Sequence, residues 1–191
     1  LRSILEEILL DSMYEIPSEE NIRKCSESIY HRGPDGHGYF KDKNNSGNSV
    51  VLIHRRLAII DLDERSNQPF KVGENLLIFN GEIYNYIEIR EELIKLGHNF
   101  YTSSDTEVLA KSLVQWGTDA LKKLEGMWAF AWYNKVTGDL ILSRDKFGEK
   151  PLYLWQDSNG FYFGSEIKAL ASLAGYWPTI NKNHLLRYLI N

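Results

Sequence analysis

Apolar residues near the start of the chain recur at helical intervals: Leu1, Ile4, Leu5, Ile8, Leu9 and Met13, with Glu6, Glu7 and Asp11 filling the other face. That spacing predicts an amphipathic helix over 1–14, ended by Pro17. Ser18 predicts the cap of a second helix reaching about Tyr30, with Ile22, Cys25 and Ile29 on one face. A dense turn cluster follows, His31-Arg32-Gly33-Pro34-Asp35-Gly36. Strands are expected over 38–41 and 49–54, separated by a turn over 44–48. Ala58-Ile59-Ile60 reads as a buried segment beside Arg55 and Arg56. The apolar run Leu76-Leu77-Ile78-Phe79 reads as a buried strand ending at Asn80. A helix over 86–96 would turn Ile89, Leu93 and Leu96 inward, with Gly97 as its stop. A short strand reaching Tyr101 and helices over 105–116 and from Gly117 to about 125 come next. Four short aromatic-rich strands, over 127–133, 139–143, 152–155 and 160–164, suggest an antiparallel sheet. Ser165 would cap a helix to about Leu173, and a last helix spans 184–190.

The 191 residues suit one domain with a sizeable core. A net charge of −4 offers no basic surface for nucleic acid or an anionic membrane. No apolar run reaches the length of a membrane span, and no signal peptide is visible. The single cysteine, Cys25, excludes an internal disulfide and fits a reducing cytoplasm. Its place on an apolar helix face reads as core. The five histidines are scattered, without metal-ligand spacing, so no metal is expected.

The candidate chemistry centres on Phe79-Asn80-Gly81-Glu82-Ile83-Tyr84-Asn85-Tyr86. Asn80 offers a side-chain amide donor, and Gly81 a bare backbone N–H; side by side they can form an oxyanion hole. Glu82 adds a carboxylate suited to an ammonium group. Asn-Gly is equally a β-hairpin signal. Arg56 could grip a carboxylate in a bidentate fork, or could pack its stem and send its head to water. Asp105, at a helix start, could bind a ligand or simply cap the helix. Arg144-Asp145-Lys146-Phe147-Gly148-Glu149-Lys150-Pro151 reads as an internal ion-pair turn.

From about Ser26 onward the sequence resembles the glutaminase domain of asparagine synthetases, which are class II glutamine amidotransferases. The likeness is carried by His31–Gly36, His54-Arg-Arg-Leu-Ala-Ile-Ile-Asp-Leu62, Phe79–Tyr86, Ser104-Asp-Thr-Glu-Val-Leu109, Gly126-Met-Trp-Ala-Phe-Ala131, Arg144–Tyr153 and Ser165-Glu-Ile-Lys-Ala-Leu170. It implies an α+β fold, a four-layer αββα sandwich of N-terminal-nucleophile hydrolase type, and the element order read above agrees. It also implies roles. Arg56 would hold the α-carboxylate of glutamine, with Leu57, Ala58, Ile59 and Ile60 along that wall. Asn80 and Gly81 would supply the oxyanion hole, and Glu82 and Asp105 would hold the α-ammonium.

Two features of that family are not found among these residues. Its nucleophile is an N-terminal cysteine in a Cys-Gly-Ile motif, and no Cys-Gly-Ile occurs here. The 191 residues are therefore expected to bind glutamine without hydrolysing it, or to serve as a structural module. Nor is there a Ser-Gly-Gly-x-Asp-Ser loop, so ATP and Mg are expected only in a C-terminal synthetase domain, and no cofactor in this segment. Residues 1–25 resemble the C-terminal end of the ClpX unfoldase subunit, which leaves open a natural fusion, an engineered chimera and an assembly artefact. The implied division is a foreign helical segment over 1–25, the amidotransferase domain over 26–178, and the start of a linker helix over 179–191. Implied partners are glutamine and the synthetase domain. A homodimer and a different amide acceptor, such as a sugar acid, are left open.

Overall fold

The computed structural model describes residues 4–8, 17–43, 47 and 49–190. In chain order the described elements are β1 (Ile4–Ile8), α1 (Glu19–Ser28), β2 (Gly36–Lys43), β3 (Ser49–Arg56), β4 (Phe70–Val72), β5 (Asn75–Ile83), α2 (Tyr86–Lys95), α3 (Asp105–Trp116), β6 (Gly126–Asn134), β7 (Leu140–Arg144), β8 (Tyr153–Gln156), β9 (Phe161–Gly164), α4 (Ile167–Ala174) and α5 (Lys182–Ile190). An antiparallel sheet runs β1-β7-β6-β5-β4, while β2–β3 and β8–β9 form two antiparallel hairpins.

Side-chain alternation along the two central strands builds both cores. Leu77 and Phe79 of β5 and Trp128, Phe130 and Trp132 of β6 share one face, packed with Ile89 and Leu93 of α2 and Val108, Leu109 and Leu113 of α3. The opposite face carries Leu76, Ala131 and Tyr133, which meet Leu140 and Leu142 of β7 and Val50 and Leu52 of β3, with Phe161 and Phe163 of β9 alongside. Helices α1 and α4 pack on each other, with α4 against β9 and α1 against β3. The layers are thus α2/α3, the five-stranded sheet, the two hairpins, and α1/α4: an α+β four-layer αββα sandwich, as the family resemblance implies.

Several local expectations are corrected. The helix over 1–14 is not formed where residues are described: Ile4–Ile8 is a strand paired with β7, from Ile4↔Arg144 to Ile8↔Leu140. Residues 1–3 and 9–14 of that expected helix lie outside the described residues, as do 44–46 and 48 of the turn over 44–48. Unpaired ladder groups on β7 reward a neighbour more strongly than local periodicity rewards a helix. The Asn80-Gly81 pair is no turn, because β5 runs straight through it to Ile83 in unbroken register with β6. No strand reaches Tyr101, and the stretch after Gly117 is a 3₁₀ turn, Gly117–Lys122. Leu96 is exposed rather than inward. The cap of α4 is Glu166, without a side-chain cap bond, rather than Ser165. Leu57 and Ile59 are exposed at 56% and 68%, so 58–60 is not a buried segment; its backbone carbonyls face inward instead, as described below. Among the described residues no helix is long and apolar enough to cross a membrane.

Candidate functional site

The site is built on the edge of β5. Strand β4 pairs only with residues 75–77, so beyond them this edge has no neighbouring strand. Side chains take over the ladder bonds. The Phe79 N–H donates to Gln68 Oε1 at 2.5 Å, and His54 Nε2–H donates to the Phe79 carbonyl at 3.1 Å. The Ile83 N–H donates to Asp105 Oδ2 at 3.1 Å. Alternate residues of a strand present their N–H to the same edge, so Gly81 also faces it, and no described side chain accepts from its N–H. A Cβ on Gly81 would sit 2.2 Å from the Met127 carbonyl oxygen; only glycine lets the two strands come so close. Asn80 turns its side chain to the inter-sheet face, opposite Ala129. Its Nδ2 is buried with no partner. Buried amides are rarely left so. Two unmet donors, Asn80 Nδ2–H and Gly81 N–H, thus stand on adjacent residues.

Asp105 is the first residue of α3, but it is not the cap: Ser104 Oγ accepts from the Glu107 N–H. That leaves the Asp105 carboxylate free to lean on β5. Burial, reinforced by the charge of Glu82, raises its pKa to about 6, against the pull of the Ile83 and Thr106 N–H groups. Two carboxyl groups so close form a natural seat for a cation.

Arg56 ends β3 and is buried, at 7% exposure. Its Nη1 donates to the Asp63 carbonyl at 2.8 Å and Asn67 Oδ1 at 3.2 Å. Its Nη2 donates to the carbonyls of Ile60, at 3.3 Å, and Asp61. The loop after β3 therefore wraps its oxygens around the guanidinium, which is why Leu57 and Ile59 turn outward. Asp61 makes that wrap possible with a left-handed φ of 54°. Its carboxylate accepts from the Ser103 N–H at 2.7 Å, tying this loop to the approach of α3. Burial works against the Asp61 charge, but the Ser103 and Asp63 N–H groups hold its pKa down at about 2.

Arg56, Leu57, Ile59, Ile60, Asn80, Gly81, Glu82 and Asp105 all line one cavity of about 530 Å³ between the two sheets. Ala58 is not on its wall; its N–H is bonded to Asp35 Oδ2 at 2.9 Å.

Residues 10–191 match the model of a glutamine amidotransferase domain family. The chain belongs to that family. Curated relatives of this amidotransferase domain include asparagine synthetase [glutamine-hydrolyzing] 1 of Bacillus subtilis, 46% identical over 173 residues, covering 90% of this chain and 26% of that protein. Asparagine synthetase [glutamine-hydrolyzing] 1 of Saccharomyces cerevisiae is 38% identical over 152 residues, covering 77% of this chain and 25% of that protein. The amidotransferase domain thus spans about a quarter of these relatives' length. Among solved structures, glutamine phosphoribosylpyrophosphate amidotransferase from Bacillus subtilis, complexed with ADP and GMP, has a TM-score of 0.69 at 22% identity, covering 84% of this chain and 42% of that one. That likeness speaks to the fold. The family match starts inside the stretch read as unfoldase-like, and the comparisons give the ClpX likeness no support.

Several residues that organise the amidotransferase domain carry no functional reading in the sequence. Gln68 falls in a loop, and His54 and Glu107 lie inside the family-like stretches 54–62 and 104–109 with no role assigned to them there. Glu107 has a structural one. It is fully buried and paired with Lys111 Nζ at 2.7 Å, and it accepts from the Thr102 N–H at 2.8 Å. Burial opposes its charge, but Lys111 and Thr102 win and hold its pKa low. The 144–151 turn is closed less by ion pairs than by Asp145, which accepts from the Trp128, Phe147, Glu149 and Lys150 N–H groups. Cys25 is buried, as its helix face implied, and burial pushes its thiol up to about 12.

Proposed function

We propose that this domain binds glutamine across the cavity, with Asn80 Nδ2–H and Gly81 N–H on the side-chain amide oxygen and Glu82 and Asp105 on the α-ammonium. The observation that carries the reading is the buried, unpartnered Asn80 amide beside the open Gly81 N–H. Donors waiting at one point suit an oxygen that gains negative charge. Arg56 takes the α-carboxylate. In the ligand-free arrangement its four Nη–H donors are held by loop oxygens and only Nε–H is left over, so the carboxylate displaces part of that wrap, and Leu57 and Ile59 close over the aliphatic chain.

The protein in which this domain works is a glutamine-dependent asparagine synthetase-like enzyme: the domain releases ammonia, and a synthetase domain consumes it to make an amide. Exposed Trp177, Ile180, Leu186, Tyr188 and Leu189 around α5 support an apolar packing partner on that side. The sandwich, to which β1 and α1 contribute ahead of residue 26, reaches about 178, and residues 179–191 form the linker toward that partner.

These 191 residues alone bind glutamine and do not hydrolyse it. The support is Cys25, the one thiol of the sequence, whose burial and high pKa make it a poor nucleophile. Calorimetry with glutamine and an ammonia-release assay test both halves. Heat of binding without ammonia is expected. Turnover above a blank, abolished by a thiol reagent, would overturn the second half, and no heat would overturn the first.

A further inference from the structure

Phe79, the residue directly ahead of Asn80, has both peptide groups held by side chains from elsewhere in the fold. Gln68 is nearly sealed, at 6% exposure. Its Oε1 takes the Phe79 N–H at 2.5 Å, and its Nε2 reaches Thr106 Oγ1 at 3.4 Å, next to Asp105. Its backbone carbonyl is pressed on β2, where a Cβ on Gly38 would lie 2.2 Å from the Gln68 oxygen. Gln68 is therefore fixed from behind by β2, and it spans from the donor strand to the head of α3. His54, on β3, gives Nε2–H to the Phe79 carbonyl at 3.1 Å. A carbonyl only accepts, so the ring carries its proton on Nε2, and Nδ1 is left buried and unpartnered. A histidine kept at the cost of an orphan nitrogen is there for the bond its other nitrogen makes.

We propose that Gln68 and His54 are positioning residues for the Asn80–Gly81 donor pair. The proposal rests on the glutamine-pocket reading. Its physical basis is leverage. The peptide planes on either side of Phe79 set the direction of the Asn80 Cα–Cβ bond and of the following Gly81 N–H. A strand neighbour would normally fix those planes, and at this position two side chains do it. A displacement of about 1 Å at the donors is enough to lose a hydrogen bond to a ligand oxygen.

The test uses ¹⁵N-labelled 191-residue protein in three forms, wild type, Gln68→Met and Gln68→Glu, titrated with glutamine and with norvaline. Norvaline has the same head group and a side chain without the amide. Gln68→Met removes the acceptor, while Gln68→Glu keeps it. In Gln68→Met the free-state resonances of the Asn80 side-chain NH₂ and the Gly81 amide shift. Glutamine affinity falls about 3- to 10-fold, the scale of one hydrogen bond, and norvaline affinity stays. Gln68→Glu restores the glutamine affinity. A purely structural role would lower both ligands equally and leave the two resonances in place, and that result overturns the proposal. If folded wild type binds no glutamine, the pocket reading falls, and unmoved Asn80 and Gly81 resonances in Gln68→Met would still sink the positioning claim by themselves. Should Gln68→Met fail to fold, His54→Phe, which removes the donor to the Phe79 carbonyl, is read by the same two resonances and the same ligand pair.

Discussion

Asp105→Asn should make the domain more stable at neutral pH and weaker for its ligand. Asp105 is 6% exposed, and in the fold its pKa rises from the ordinary 3.8 to about 6. A carboxyl whose folded pKa is raised binds its proton more tightly in the native state than in the unfolded one. Its contribution to stability is therefore complete below about pH 3.8 and is lost as pH climbs through about 6. At about 1.4 kcal/mol per pH unit, the loss is on the order of 3 kcal/mol. Asparagine does not titrate and can still accept from the Ile83 N–H. Urea unfolding of both proteins from pH 4 to 8 measures the difference directly. The stability of Asp105→Asn minus that of wild type should grow by about 2–3 kcal/mol across that range. Saturating glutamine should flatten the wild-type curve, because an ammonium beside Asp105 and Glu82 lowers the pKa again. A difference that stays level with pH would refute the buried-carboxylate argument.

Glu107→Ala should instead destabilise, by about 3–5 kcal/mol, because Lys111 is left charged and without its carboxylate partner; urea unfolding at pH 7 reads it. Gly81→Ala should cost about 1–3 kcal/mol or prevent folding, since the new methyl meets the Met127 carbonyl; the same assay applies. The Cys25 thiol should resist a disulfide reagent at pH 8 in the folded protein and react at once in denaturant, a contrast read by absorbance.

The sandwich was legible because its elements obey local rules. Tryptophans and phenylalanines alternate with alanines along 126–134, and Ser18 sits where a cap belongs, whereas the cap of α3 is Ser104, one residue before the Asp105 that the sequence offers. The site was legible in residue type more than in geometry. The family resemblance implies that Asn80, Gly81, Glu82 and Asp105 share one pocket, yet the Asn-Gly pair lies inside a strand, because pairing with β6 overrides the turn preference of two residues. Ile4–Ile8 shows the same override at the sheet edge, where the free ladder groups of β7 outweigh helical spacing. Leu57 to Ile60 misled for another reason: an apolar run normally marks a buried segment, but here the backbone faces inward to satisfy Arg56. Gln68 could not be read at all, since its role depends on Phe79, Thr106 and Gly38 meeting in space.

The central claim is that the ends of one glutamine molecule are held by Arg56, by Glu82 with Asp105, and by Asn80 with Gly81. A crystal structure of the protein soaked with glutamine tests it most directly. The account predicts the amide oxygen within hydrogen-bond reach of both Asn80 Nδ2 and Gly81 N, the ammonium between the two carboxylates, and the α-carboxylate on Arg56 with the 60–63 carbonyls displaced. Glutamine bound with its head group toward Asn80, or found outside this cavity, would contradict it.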